Sequence, residues 1–100
     1  MEDIAILGTA ANGDEAIRMT GELQPDVVLL DVAMPGMDGI AASQQIVEQV
    51  PTAQVILMFT QDKTDYQQRC DGAGAKAYLV KPFDGDALGT MIRRVYRQRD

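Results

Sequence analysis

The chain has 100 residues, a formal net charge of -6, 46% hydrophobic and 24% charged residues, which is the balance of one small globular domain. The negative charge argues against a general grip on nucleic acid. The single cysteine, Cys70, leaves no intrachain disulfide, and the lack of histidine leaves no zinc site of the usual kind.

No apolar stretch approaches the ~20 residues that a transmembrane helix needs, and the N-terminus lacks a signal-peptide pattern. The expectation is a cytoplasmic chain that neither spans a membrane nor contacts DNA directly. It is read as a single domain over residues 1–100, with no low-complexity segment, linker or second domain.

In chain order, Ile4 to Ala10 is an apolar strand candidate, punctuated by Asn12-Gly13. Asp14 to Leu23 reads as a helix with an acidic first turn. Val27 to Asp31 is a continuous apolar run entered through Pro25-Asp26, the pattern of a fully buried parallel strand. Gly39 to Val50 is a helix with Ile40, Ser43, Val47 and Val50 on one stripe, stopped by Pro51. Gln54 to Phe59 is a third strand, ending in Thr60. Thr64 to Ala73 is a weak helix closed by Gly74, and Ala77 to Val80 is a fourth strand followed by Lys81-Pro82. Asp84 to Gln98 is the last helix, with Leu88, Met91, Ile92, Val95 and Tyr96 at helical spacing. Four arginines, Arg93, Arg94, Arg97 and Arg99, crowd its end, where cations suit the helix dipole. Strands that alternate with helices predict right-handed crossovers and a parallel sheet with covered faces, here of four strands and four helices.

Three of these strands end in chemically useful residues: Asp31, Thr60 and Lys81. In a parallel sheet all three fall on the carboxyl edge, across strand spacings of ~4.8 Å. A strand-end aspartate can accept a phosphoryl group or hold a metal, or it can simply cap the following turn. Thr60 alone could be a helix cap and Lys81 a surface lysine. Together, a carboxylate, a hydroxyl and an ammonium suit phosphoryl chemistry, the first as nucleophile and the others as partners of the phosphoryl oxygens. An X-Pro bond after the last strand can be cis and would set where Lys81 points. A phosphatase of the aspartate-nucleophile type needs a second acid two residues on, where this chain has Ala33. Acyl transfer lacks a histidine base.

The segment Asp31-Val-Ala-Met-Pro-Gly-Met-Asp-Gly39 resembles the phosphorylation loop of response-regulator receiver domains, and Gly74-Ala-Lys-Ala-Tyr-Leu-Val-Lys-Pro-Phe83 resembles their last strand and lysine-proline turn. The likeness covers essentially the whole chain. It implies a flavodoxin-like open parallel sheet and a signalling module, not an enzyme beyond self-catalysed phosphorylation and dephosphorylation. It further implies that Asp31 accepts a phosphoryl group from a histidine kinase or phosphotransfer protein. Thr60 and Lys81 would contact that group, and Thr60 with Tyr78 would form the switch. Magnesium would rest on Asp31, the backbone carbonyl of Ala33 and Asp62.

The family's first strand and helix, with the acidic pair that helps to hold magnesium, have no counterpart here, so the fold is read as N-terminally truncated. Glu2 and Asp3 precede the first strand and fall at its opposite end, ~17 Å or more from Asp31, whereas Asp14 or Glu15 could approach. The open place in the sheet predicts self-association as a homodimer, with Ile4, Ile6, Val28 and Leu30 or their alternates under-covered. The alternative function is a pseudo-receiver that is never phosphorylated and acts as a constitutive interaction or dimerisation module.

Overall fold

A computed structural model describes residues 4–33, 38–60 and 72–98. Helix α1 (Gly13–Leu23) begins where the Asn12 side chain accepts a hydrogen bond from the Glu15 N–H at 2.9 Å, and it ends at Gln24, which takes the left-handed conformation with φ 51°. Strand β1 (Val27–Asp31) follows, then helix α2 (Gly39–Gln49), capped by Asp38 through the Ala41 N–H at 2.8 Å. Strands β2 (Gln54–Thr60) and β3 (Ala77–Lys81) lead to helix α3 (Gly85–Arg97), capped by Asp84 through the Ala87 N–H at 2.8 Å. Each cap is a short polar side chain just before a helical stripe, so these three boundaries lie within a residue or two of the expected ones.

The described strands form one parallel sheet in the order β1-β2-β3. Val28, Leu30, Val55, Leu57 and Phe59 share one face and pack with α1 and α2 around Ala16, Ile40, Ala42 and Ile46. Ile56 points to the opposite face, where α3 crosses the sheet and buries Val95. Ile46, fully buried, is the centre of the α2 stripe, and Val47 sits half-buried beside it. Ile40, Ser43 and Val50 of the expected stripe are buried, joined by Ala42 and Ile46, whereas the fourth, Val47, is only half-buried. In α3 only Gly89 and Val95 are buried, and Tyr96 is exposed.

The expected four-stranded sheet is corrected here. Ile4 to Ala10 carries no strand, and Ile6 and Leu7 are 83% and 58% exposed. The sequence has strand character, but a strand exists only as part of a ladder, and β1 bonds to β2 on its inner side. Gly8 lies instead against Met19 and Leu23 of α1. Of the apolar set expected to be under-covered, Leu30 is buried and Val28 half-buried, while Leu29 is 37% exposed. The predicted helix at Thr64 to Ala73 lies outside the described residues except for Gly72 and Ala73, which are in a turn.

The buried hydroxyl of Ser43 ties α2 to that turn, donating to the Ala73 carbonyl at 2.9 Å. Ser43→Ala leaves the carbonyl without its donor, so the expected loss is about 1–2 kcal/mol, read as a lower urea midpoint at unchanged slope.

Candidate functional site

The register places Asp31 opposite Met58 and Thr60 opposite Lys81, so the ends of all three strands share one edge of the sheet. Asp31 and Lys81, 50 residues apart, meet there: the Lys81 ammonium donates to Asp31 Oδ2 as an ion pair. The other carboxylate oxygen, Oδ1, accepts the Ala33 N–H at 3.0 Å, which curls the start of the loop around the carboxylate. Both side chains of the pair are about one-third exposed, 32% for Asp31 and 36% for Lys81, so the site opens to water. The Lys81–Pro82 peptide bond is cis.

The backbone around Asp31 is held closely. The Val32 N–H donates to the Met58 carbonyl at 2.8 Å, and Val32, nearly fully buried, anchors the loop in the core. The Gly39 N–H donates to the Val32 carbonyl at 2.9 Å and ties the start of α2 to the residue after β1. Gly39 lies so close to the carbonyl of Asp31 that a Cβ there would overlap it, and would stand 2.8 Å from Val32 Cα. Sequence reasoning read Gly39 only as a helix start and gave Val32 no role. The signal was the Asp38-Gly39 pair, a cap followed by the one residue that allows such an approach.

Tyr78 is half-buried on β3, its ring 6.2 Å from that of Phe59 and inclined by 48°. This aromatic pair packs against the α1–α2 side of the core. The backbone of Thr60 is in β2; its side chain and Asp62 lie outside the described residues.

The chain belongs to the response regulator receiver domain family, which it matches over residues 1–93. It is 38% identical over 87 residues to the uncharacterized transcriptional regulatory protein YhcZ of Bacillus subtilis, a match covering 87% of this chain and 41% of that protein. It is 33% identical over 97 residues to the response regulator protein VraR of Staphylococcus epidermidis, covering 95% of this chain and 46% of that one. The chain thus spans less than half the length of these curated relatives. Among solved structures, the receiver domain of AraT from Geobacillus stearothermophilus superposes with a TM-score of 0.86 at 26% identity, over 95% of this chain and 74% of that one. A LuxR-family DNA-binding response regulator from Staphylococcus aureus gives a TM-score of 0.86 at 30% identity, over 94% and 78% of the two chains. This is therefore a receiver domain of two-component response regulators, a signalling module.

Receiver domains generally bind magnesium at the phosphorylation site. Magnesium wants near-octahedral oxygen ligands, commonly more than one carboxylate with waters. Here one oxygen of Asp31 is held by Lys81 and the other by the Ala33 N–H. Among the described residues no three or more acidic, cysteine or histidine side chains gather as a metal group, Asp14 and Glu15 included. Asp31 and the Ala33 backbone carbonyl are the described groups that would hold the ion, Asp62 lies outside the described residues, and no chemistry is routed through the ion below. Among the same residues no helix is long and apolar enough to cross a membrane.

The Asp31–Lys81 pair is about one-third exposed, and such pairs contribute at most about 1 kcal/mol. Lys81→Ala is therefore expected to lower stability by that amount or less, measured by thermal unfolding. A fully unfolded Lys81→Ala variant would show that the lysine is a structural member of the sheet edge.

Proposed function

We propose that this chain is the phosphoacceptor module of a two-component relay, with Asp31 as nucleophile. The observation that carries the reading is the Asp31–Lys81 pair at the carboxyl edge of the parallel sheet. A carboxylate oxygen of Asp31 attacks the phosphorus of a phosphohistidine on a kinase or phosphotransfer protein. The new P–O bond forms as the P–N bond breaks, and the leaving imidazole nitrogen takes the electron pair. The Lys81 ammonium shifts from the carboxylate to the phosphoryl oxygens, where negative charge accumulates. Thr60, opposite Lys81 in the register, is assigned the hydroxyl that contacts the same group. Tyr78, half-buried beside Phe59, is assigned the side chain that moves inward once that contact forms. The assigned setting is the cytoplasm, where the signal passes by protein–protein contacts, including pairing with a second copy of the chain.

The test is incubation with acetyl phosphate, with and without magnesium, followed by intact mass and peptide mapping. A single labile phosphoryl group on the peptide that contains Asp31 is the expected result. Modification of Asp14 or Asp38 with Asp31 untouched would overturn the site, and no modification under either condition would favour the non-phosphorylated interaction module.

A further inference from the structure

Among the described residues strand β1 is an edge of the sheet, and its hydrogen-bonding register shows which groups it turns away from β2. The Asp26 carbonyl accepts the Gln54 N–H at 3.0 Å and the Val32 N–H donates to Met58 at 2.8 Å, both toward β2. In a parallel pair such bonds come from alternate residues, so Val28 and Leu30 also face β2. Val27 and Leu29 therefore turn their N–H and C=O groups outward, and among the described residues no strand lies on that side. The carbonyl of Asp31, which would come next, is covered by Gly39.

The same chain carries a strand-like segment without a ladder. Ile4 to Ala10 is uncharged, rich in β-branched and aliphatic residues, and exposed at Ile6 and Leu7. At Gly8 it lies against Met19 and Leu23 of α1, and Leu23 is itself 42% exposed. We infer that the β1 edge is a docking site for the Ile4–Ala10 segment of a second copy, exchanged reciprocally about a two-fold axis. The inference rests on the self-association read under the proposed function and names its surface.

Electrostatics permit the pairing in spite of a net charge of -6, because the segment and Val27 to Leu30 are both uncharged and Asp31 is paired with Lys81. Two reciprocal ladders along edges roughly 17 Å long, in a sheet roughly 10 Å thick, bury on the order of 700 Å². Ile6 and Leu7, closing over the exposed Leu23 and Leu29, add apolar area toward the roughly 1,000 Å² at which a specific interface starts. An uncapped apolar edge of this kind is the template that natural sheets otherwise block with charge. The opposite edge, β3, also has an exposed apolar residue, Val80 at 39%, but no strand-like segment lies beside it among the described residues.

Light scattering behind size exclusion at micromolar concentrations tests this on the full chain and on three variants: Ile6→Asp, Leu29→Lys and Val80→Lys. The expected result is a dimer for the parent and for Val80→Lys. Ile6→Asp and Leu29→Lys should be monomers, with circular dichroism melts showing that both remain folded. Ile6 is exposed, so Ile6→Asp keeps the test decisive even if Leu29→Lys unfolds. A dimer that survives both Ile6→Asp and Leu29→Lys, or one lost only in Val80→Lys, would overturn the docking site while leaving self-association intact. A monomeric parent throughout would overturn both.

Discussion

Asp31→Asn is expected to abolish phosphoryl acceptance completely while leaving the domain folded. The amide is nearly the same size and can still accept the Ala33 N–H on its oxygen, so the loop turn survives. It loses the negative charge that pairs with Lys81, a contact about one-third exposed and worth at most about 1 kcal/mol. What disappears is the nucleophile: an amide oxygen is neutral and cannot form the acyl phosphate. Intact mass after incubation with acetyl phosphate should show no increment in the variant, alongside a thermal melt within a few degrees of the parent. If the variant is still modified, the acceptor lies elsewhere, and the meeting of Asp31 and Lys81 is only a structural clasp.

The second large effect falls on a residue that carries no chemistry. Gly39→Ala places a methyl group into the carbonyl oxygen of Asp31 and 2.8 Å from Val32 Cα, both of them backbone atoms that no side-chain rotation can move aside. Either α2 retreats from β1 or the end of β1 bends. Overpacking against a rigid neighbour costs about 3 kcal/mol at the upper end of the usual range. For a domain of this size that lowers Tm by roughly 12 °C or more. The same displacement moves Asp31 away from Lys81, so phosphoryl acceptance should fall together with stability. Scanning calorimetry and the phosphodonor assay on one preparation check both arms. An unchanged Tm would mean that the start of α2 shifts freely, and that Gly39 has no part in positioning Asp31.

Much of this molecule follows from local chemistry. Asn12, Asp38 and Asp84 are short polar residues ahead of amphipathic stretches, and each caps its helix through a backbone N–H. The runs at Val27, Gln54 and Ala77 form strands at nearly their expected bounds because each is apolar and closed by turn residues. The meeting of Asp31 and Lys81 was legible for a topological reason: parallel strands present their carboxyl ends on one edge, whatever the separation in sequence.

Other features depended on the tertiary structure. Ile4 to Ala10 has the composition of a strand and is none, because strand character is realised only where a neighbour offers a ladder, and composition carries no record of neighbours. Which residues of α2 face the sheet turned on a fraction of a helical turn, so Ile46 and not Val47 became the centre of the stripe. The closeness of Gly39 to the Asp31 carbonyl goes with the start of α2 being bonded to the Val32 carbonyl just past β1. The sequence alone thus determined the three described strands, the three described helices and the sheet edge that Asp31, Thr60 and Lys81 share. Only the tertiary structure decided the strand count of the described sheet and the close approach of Gly39 to the Asp31 carbonyl, because both depend on how elements pack and not on composition.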